Sequence, residues 1–272
     1  MDVKPARVLT IASGKGGVGK SFLTLNLAEA LSRMGRRVMI LDADFGLANI
    51  ELLTGQKPEH TICDVLSGAC TAEQTLIAGP GGVQLIPGGR SIPEYAELSH
   101  GRMSGLINAI DKLAGQMDYL LIDTSGGLSP TDLQLAQASG EVLVIVTPDP
   151  VVQADAADYI RALRSHCSVQ QFGIVTNMIK RQREGHALME NLQERLGYDL
   201  DLVLRHCGQV PFDQDVAKSS HNFQTILQAR PESRAARSMQ LLAETLDRRR
   251  ISSAIPGGMT FFLEQTVVAG GI

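Results

Sequence analysis

The chain has few cysteines, no long apolar run and no excess of basic residues. Its four cysteines, Cys63, Cys70, Cys167 and Cys207, lie far apart without C-x-x-C spacing, which argues against a disulfide framework or a zinc site. No apolar stretch reaches the roughly 18 residues that a membrane-spanning helix needs. With 25 Lys and Arg against 29 Asp and Glu, the chain is mildly acidic and lacks a uniformly basic surface for nucleic acid.

The first residues, MDVKPARV, lead directly into an apolar run and offer no signal peptide. We therefore expect a cytoplasmic protein, which could associate reversibly with the inner face of the cell membrane if part of the chain attaches it there. The length, 272 residues, suits one large α/β domain or two small ones and suffices for a substantial core.

Short apolar runs rich in β-branched residues alternate with helical patterns along the chain. The runs cover residues 8–12, 38–41, 83–86, 119–122, 142–146 and 172–175. Because these runs are continuously apolar rather than alternating, they are typical of strands buried on both faces of a parallel sheet. Between them, apolar residues recur at helical spacing, as at Leu23, Leu27 and Leu31. The order predicts an α/β fold with a single doubly wound, mainly parallel sheet and helices on both faces.

The composition changes at Arg248, so we expect one domain over residues 1–247 and a tail over residues 248–272. The tail reads RRRISSAIPGGMTFFLEQTVVAGGI, with a basic cluster, a Pro-Gly-Gly break and an apolar end. On a helical wheel one face carries Met259, Phe262, Leu263 and Val267. Phe261 and Val268 point away from that face. Two interpretations stay open, a membrane-targeting amphipathic helix and a segment docked in a groove of its own domain.

A glycine-rich loop, IASGKGGVGKSFLTLNLAEAL, follows the first apolar run and fits two nucleotide motifs. Gly14, Gly16 and Gly19 match the dinucleotide pattern G-x-G-x-x-G. Gly14, Gly19, Lys20 and Ser21 match the P-loop pattern G-x-x-x-x-G-K-[ST]. A P-loop surrounds phosphates with backbone N–H groups at a helix N-terminus, adds a lysine charge and supplies one hydroxyl for magnesium.

Two acidic residues decide between these motifs. Asp42 ends the second apolar run, where a dinucleotide site would need an acid for ribose. Asp123 ends the run YLLID, where a P-loop protein carries the carboxylate that supports magnesium. Lys20 and Ser21 have no role in a dinucleotide site. The sequence therefore favours a nucleoside triphosphate with Mg²⁺.

A second lysine in the loop, Lys15 in GKGGVGKS, resembles the deviant Walker A motif of the MinD/ParA family of ATPases. Three other segments resemble that family: MILDADFGLANIELLTG its second strand and switch I, LLIDTSGGLS its Walker B motif and switch II, and IVTNMI with GQVPFD its base-binding segments. The resemblance runs from about Arg7 to Asp247. It implies that Lys15 reaches the nucleotide of the partner subunit in an ATP-dependent homodimer, and that Asp44 orients the attacking water.

The resemblance and the P-loop pattern together give a set of candidate site residues. The expected catalytic residues are Lys15, Lys20 and Asp44. The expected magnesium residues are Ser21, Asp42 and Asp123. The expected ATP-binding residues are Gly14, Lys15, Gly16, Gly17, Val18, Gly19, Lys20, Ser21 and Phe22 on the loop, and Asn177, Pro211 and Asp213 near the adenine.

Within the family, the segments TICDVLSG, GPGGVQLIPGG and TPDPVVQADAADYIRAL look most like the flagellar-number regulators called FlhG or FleN. This branch implies a slow, partner-stimulated ATPase that dimerises with ATP and separates after hydrolysis. The implied partners are an FlhF-type GTPase, a FleQ-type activator and basal-body proteins, with the membrane as platform. The chain departs from the branch in three places: seven residues precede the first strand, so no GTPase-activating extension is expected, switch II contains Pro130, and the tail has no lysine.

Other functions of the same family stay open as alternatives. A MinD-like division-site regulator would share every catalytic residue. A ParA-like DNA-partition ATPase is disfavoured by the acidic composition, as is any direct nucleic-acid binding, although Arg248, Arg249 and Arg250 form a local basic cluster. An iron–sulfur reductase or scaffold would need a cysteine pair near the dimer axis, and the switch II segment contains no cysteine.

Overall fold

The computed structural model describes residues 6–45, 49–89, 97–167, 169–197, 202–249 and 259–262. In these ranges eight strands form one sheet, in the order β3-β4-β2-β5-β1-β6-β7-β8. The strands are β1 (Arg7–Ala12), β2 (Val38–Ala43), β3 (Ile77–Ala78), β4 (Gln84–Ile86), β5 (Tyr119–Thr124), β6 (Val142–Val146), β7 (Gln171–Ile179) and β8 (Val203–Pro211).

The described helices connect these strands and cover both faces of the sheet. They are α1 (Lys20–Arg33), α2 (Ile50–Thr54), α3 (Ile62–Ser67), α4 (His100–Asp111), α5 (Pro130–Ser139), α6 (Pro150–Cys167), α7 (Gln182–Leu196), α8 (Gln214–His221), α9 (Ile226–Ala229) and α10 (Arg234–Arg248). Short 3₁₀ turns lie at Ala72–Thr75, Pro80–Gly82 and Ala114–Gln116. None of the described helices combines the length and the apolar character that crossing a bilayer takes.

Every neighbouring pair in the sheet is parallel except β3 and β4, which are antiparallel. Alternate residues of one strand enter different cores, because strand side chains point to opposite faces. Leu9 and Ile11 of β1 pack with α1 and α10, whereas Val8 packs on the α4 side. The predicted doubly wound α/β fold is therefore confirmed.

Five of the six predicted runs lie within strands of the sheet, and the run 83–86 covers β4 together with the preceding Val83. Two further strands were not predicted. Strand β3 has only two residues. Strand β8 reads VLRHCGQVP and is mostly half-buried or exposed, because it forms the sheet edge. An edge strand lacks the continuous apolar run by which the buried central strands are recognised.

Residues 259–262 of the tail lie against their own domain. Phe261 and Phe262 are 4% and 3% exposed and pack in the core on the α4 side. Their backbone N–H groups donate to the carbonyl oxygen of Ala138 at 3.2 Å and to Oδ1 of Asp111 at 3.0 Å. Phe262 has a φ of 56°, so these four residues do not form the helix that the helical-wheel interpretation assumed. Leu263, Val267 and Val268 lie outside the described residues.

The packing around β7 leaves no room for a side chain at Gly173. A Cβ atom there would lie 2.4 Å from Cδ2 of Leu143 and 2.8 Å from Sγ of Cys207. We expect Gly173→Ala to lower the free energy of unfolding by about 1–3 kcal/mol through overpacking. Gly105, exposed within α4, has no atom within 4 Å of its added Cβ. As the matched control, Gly105→Ala should raise stability by about 0.4–1 kcal/mol in urea unfolding. Equal stability of the two variants would contradict this packing.

Candidate nucleotide-binding site

The glycine-rich loop joins β1 to α1 and presents an open backbone. Gly17 and Gly19 have φ values of 81° and 90°, which favour glycine. A Cβ on Gly16 or Gly17 would meet nothing within 4 Å. Helix α1 begins at Lys20 without a side-chain cap. The first N–H groups of α1 can therefore bind an anion, which the helix dipole also favours.

Other atoms of the loop are fixed by the surrounding elements. A Cβ on Gly14 would lie 2.2 Å from the carbonyl oxygen of Asp155, so the loop packs directly on the backbone of α6. Lys15 is exposed, Val18 is buried, and Phe22 packs partly buried against the core beneath α1. One side of the loop is therefore packed against α6, and Lys15 lies on the surface.

Lys20 is almost buried, with 7% of its surface exposed. Its Nζ lies 3.0 Å from Oγ of Ser13, which donates to the carbonyl oxygen of Lys15 at 2.6 Å. Burial lowers the pKa of Lys20, while the negative charges of Asp123, Asp132 and Asp44 oppose that shift. The ammonium group is therefore held in a mostly acidic pocket at the base of the loop.

Asp42 and Asp123 lie side by side, because β2 and β5 pair them in register. Both are buried, at 1% and 0% exposure. Oδ2 of Asp42 accepts hydrogen bonds from the backbone N–H groups of Asn49 and Ile50, each at 2.9 Å, and Oδ1 accepts one from Asp44 at 3.2 Å. Asp42 thus holds the segment between β2 and α2, which we call switch I (residues 44–49, of which 46–48 lie outside the described ranges).

Asp123 keeps one oxygen without a partner among the described residues. Its Oδ1 accepts from the hydroxyl of Thr24 at 3.1 Å, whereas Oδ2 is buried and unpaired. Burial raises its pKa to about 6, and hydrogen bonding to Ser21 acts in the opposite direction. Burial and the charge of Asp123 also raise the pKa of Asp42 well above its usual range. A buried carboxylate with a spare oxygen beside a serine hydroxyl fits a magnesium ion or its bound water.

The acidic residue of switch I lies at the rim of this pocket. Asp44 is half-buried, and its Oδ2 accepts a hydrogen bond from the side-chain amide of Asn49 at 3.4 Å. Its charge acts on Lys20 and Asp123. Asp44 therefore lies within electrostatic range of both groups that would hold the phosphates and the metal.

The residues predicted to contact adenine lie after β7 and β8. The amide of Asn177 donates to the carbonyl oxygen of Val18 at 2.8 Å, so it ties the end of β7 to the loop. Pro211 ends β8. Asp213 caps α8 by accepting from the backbone N–H of Asp215 at 3.0 Å. The structure thus brings Asn177 against the loop and gives Asp213 a helix-capping role.

Sequence reasoning missed three residues around Lys20. Ser13 contacts its ammonium group, and a Cβ on Gly126 would lie 2.5 Å from Nζ. Asp132 is 1% exposed and contributes negative charge. The Gly-Gly pair in TSGG was the available signal for Gly126, since its φ of 91° requires glycine. No local pattern pointed to Asp132.

The two nucleotide motifs can now be distinguished by geometry. A dinucleotide site would need Asp42 to accept from a ribose hydroxyl. Asp42 is buried, and both of its oxygens already accept from switch I amides. Lys20, Ser21, the spare oxygen of Asp123 and the uncapped α1 suit a triphosphate with its metal.

Comparison with known proteins finds similar sequences over most of the chain. The family model described as "ParA: NUBPL iron-transfer P-loop NTPase" matches residues 4–247. The antiactivator FleN of Pseudomonas aeruginosa is 34% identical over 263 residues, covering 97% of this chain and 94% of FleN. The flagellum site-determining protein YlxH of Helicobacter pylori is 34% identical over 194 residues, covering 68% of this chain and 63% of YlxH.

Among solved structures, the septum site-determining protein MinD of Pyrococcus horikoshii, complexed with Mg-ADP, superposes with a TM-score of 0.73. It is 24% identical, and the match covers 89% of this chain and 96% of MinD. The resemblance to the MinD/ParA family and to its FlhG/FleN branch is thereby confirmed. The chain belongs to the ParA/MinD family of P-loop NTPases, whose members are ATPases, and ATP hydrolysis is therefore its activity.

Proposed function

We propose that this ATPase is a dimerising molecular switch with slow Mg²⁺-dependent activity that regulates the number or placement of flagella. The observation that carries the nucleotide part is the buried pair Asp42 and Asp123, in which Oδ2 of Asp123, near Lys20 and Ser21, has no partner among the residues that the structure describes. The complex of the P. horikoshii MinD with Mg-ADP supports the proposal that this chain binds an adenine nucleotide with magnesium.

Each residue of the site has a distinct task in this proposal. The loop amides and Lys20 bind the β- and γ-phosphates, while Ser21 and Asp123 hold the metal. Magnesium, when bound, neutralises charge on the phosphate oxygens. Asp42 supports switch I, so that Asp44 can orient the attacking water. Little covalent chemistry is required of the protein, because phosphoryl transfer depends mainly on positioning and charge.

The surface around the loop supports dimerisation with ATP. Lys15 is exposed, as are Leu128 in switch II at 49% and Val151 at the start of α6 at 53%. These apolar side chains belong to elements that touch the loop, since Gly127 donates to the carbonyl oxygen of Ser13 and Gly14 packs on α6. A second copy facing this surface would cover both side chains and bring its own Lys15 to the nucleotide.

The flagellar role rests on the relatives. FleN is named an antiactivator and YlxH a flagellum site-determining protein. We infer that the ATP-bound dimer binds flagellar regulators such as a FleQ-type activator, an FlhF-type GTPase or basal-body proteins. A division-site role is the second candidate, since the MinD of P. horikoshii shares the fold. Deletion of the gene separates them: altered flagellation supports the first role, and misplaced septa with normal flagella would support the second.

We also propose a cytoplasmic protein that reaches the membrane through its tail. Phe261 and Phe262 are large apolar groups, and burying such a side chain contributes about 1.5–3 kcal/mol. In the described state these rings face the domain instead of lipid. Two tails on one dimer would bind together with raised effective concentration, by as much as about 10²–10⁴. Membrane residence would then follow the nucleotide state.

Nucleotide binding is tested by thermal unfolding. Mg-ATP at 100 times its dissociation constant should stabilise the protein by about 2.7 kcal/mol, because it binds only the folded state. Lys20→Ala should abolish the rise in Tm, since it removes the buried ammonium group that faces the phosphates. Lys57→Ala, which changes an exposed lysine, should keep it. Equal stabilisation by NADH, with none from Mg-ATP, would overturn the assignment.

Dimerisation is tested by size-exclusion chromatography with light scattering. Asp44→Ala should bind ATP, lose hydrolysis and accumulate as dimer, because the water is no longer oriented. Lys15→Ala should bind ATP and stay monomeric, because the lysine acts across the interface. If Lys15→Ala dimerises with ATP as the wild type does, the exposed lysine has no role in the partner's site.

Membrane binding is tested by sedimentation with anionic liposomes. Wild type should pellet with Mg-ATP and stay soluble without it, whereas truncation after Ser253 and Phe262→Glu should abolish pelleting. Leu241→Glu is the matched control, since Leu241 is 62% exposed on α10 and lies outside the tail. Pelleting that survives the truncation would remove the tail from the mechanism.

A further inference from the structure

Asp132 is a buried carboxylate to which the mechanism above gives no task. It is the third residue of α5 and is 1% exposed. Its Oδ2 accepts a hydrogen bond from the hydroxyl of Ser125 at 2.6 Å. Desolvation on burial raises its pKa, and hydrogen bonds from Ser125 and Ser129 act in the opposite direction. A carboxylate is rarely buried to this degree unless it is paired with a charge or hydrogen-bonded.

Ser125 lies in switch II, whose residues 125–130 follow β5, and this segment lies over Lys20. A Cβ on Gly126 would lie only 2.5 Å from Nζ of Lys20, so the backbone of Gly126 lies directly on the ammonium group. Gly127 donates its N–H to the carbonyl oxygen of Ser13 at 2.9 Å, and Oγ of Ser13 lies 3.0 Å from the same Nζ. A short series of contacts thus connects Asp132 through Ser125 to Lys20.

Asp132 differs from the other two acids near Lys20 in its contact with switch II. Three carboxylates act on the ammonium group, those of Asp123, Asp132 and Asp44. Asp123 supports the metal and Asp44 the water. Of these three, Asp132 is the one that accepts a hydrogen bond from switch II, through Ser125, while its charge also acts on Lys20.

We propose that Asp132 is a positioning residue for ATP hydrolysis, which fixes Ser125 and thereby holds the backbone of switch II against Lys20. The Lys20 ammonium group is then confined between Ser13 and Gly126 and meets the γ-phosphate in one orientation. Such confinement acts on the rate of the chemical step, because charge stabilisation in phosphoryl transfer depends on pre-set geometry. It concerns hydrolysis itself and does not depend on the proposed flagellar role.

A purely structural role is the alternative, because Asp132 also belongs to a helix N-terminus. Ser129 caps α5 by accepting from the backbone N–H of Asp132 at 3.0 Å. The chain offers a matched control in Asp64, the third residue of α3, whose Oδ2 accepts from the backbone N–H of Thr61 at 2.7 Å. Both acids stabilise a helix start, and only Asp132 connects to Lys20.

The test compares Asp132→Ala, Ser125→Ala, their double variant and Asp64→Ala with the full-length wild type. Two quantities are measured: single-turnover hydrolysis of saturating Mg-ATP, and hydrogen exchange of the Gly127 amide without nucleotide. The dissociation constant for Mg-ATP is recorded alongside. Exchange reads the closure of switch II directly and does not depend on a loaded active site.

We expect Asp132→Ala to slow hydrolysis by about 10-fold or more, with the Mg-ATP dissociation constant changed less than about 3-fold. The Gly127 amide should exchange about 10-fold faster, as its bond to Ser13 opens more often. The double variant should be no slower than Asp132→Ala, because the two residues act as one unit. Asp64→Ala should lower Tm and leave hydrolysis and Gly127 exchange unchanged.

Three results would overturn the proposal. They are wild-type hydrolysis and exchange in Ser125→Ala, an equal loss of hydrolysis in Asp64→Ala, and independent, multiplying losses in the double variant. If Asp132→Ala does not fold, Ser125→Ala decides alone, since removing one hydroxyl leaves the helix cap at Ser129 intact.

Discussion

Two buried carboxylates at adjacent strand ends are the constraint on which the site depends. Asp42 and Asp123 lie in register on β2 and β5, both almost without solvent, and each disfavours ionisation of the other. Different groups stabilise the ionised form of each carboxylate. Asp42 accepts hydrogen bonds from three backbone N–H groups. Asp123 is stabilised by the hydroxyl groups of Thr24 and Ser21 and by the nearby positive charge of Lys20. Within the described ranges one oxygen of Asp123 has no hydrogen-bond partner, and a magnesium ion or its bound water would supply one.

Three hydrogen bonds fix the segments that surround the glycine-rich loop. Asp42 holds switch I, the bond from Gly127 to Ser13 holds switch II, and the amide of Asn177 holds the end of β7 against the loop. Two of these bonds reach the glycine-rich loop itself, at Ser13 and Val18, so a nucleotide bound in the loop would lie next to switch II and the end of β7. In the proposed switch, the surface that includes the exposed Leu128 would differ between nucleotide states.

The central strands and the P-loop could be predicted from the sequence because each has a local sequence pattern. The central strands are continuously apolar, and the P-loop spacing places Lys20 and Ser21 in phosphate and metal roles. Strand β8 was missed because an edge strand is only half-buried. Asp132 was missed because the turn of switch II, which brings Ser125 next to it, cannot be read from the sequence. An acid in the first turn of a helix is usually explained by its favourable interaction with the helix dipole. The tail was undecidable because a helical wheel presumes a helix, and Phe262 has a positive φ.

We infer that burial of Asp123 prepares a ligand for the metal and lowers the stability of the nucleotide-free fold. Because its pKa is raised to about 6, its ionisation destabilises the folded state as pH rises from about 4 to about 6. The most direct test is thermal unfolding of Asp123→Asn at pH 7, without nucleotide and with Mg-ATP, beside Asp158→Asn, which changes an exposed acid. We predict that Asp123→Asn melts no lower than wild type without nucleotide and shows no shift with Mg-ATP. A lower Tm without nucleotide, together with a full Mg-ATP shift, would contradict the account.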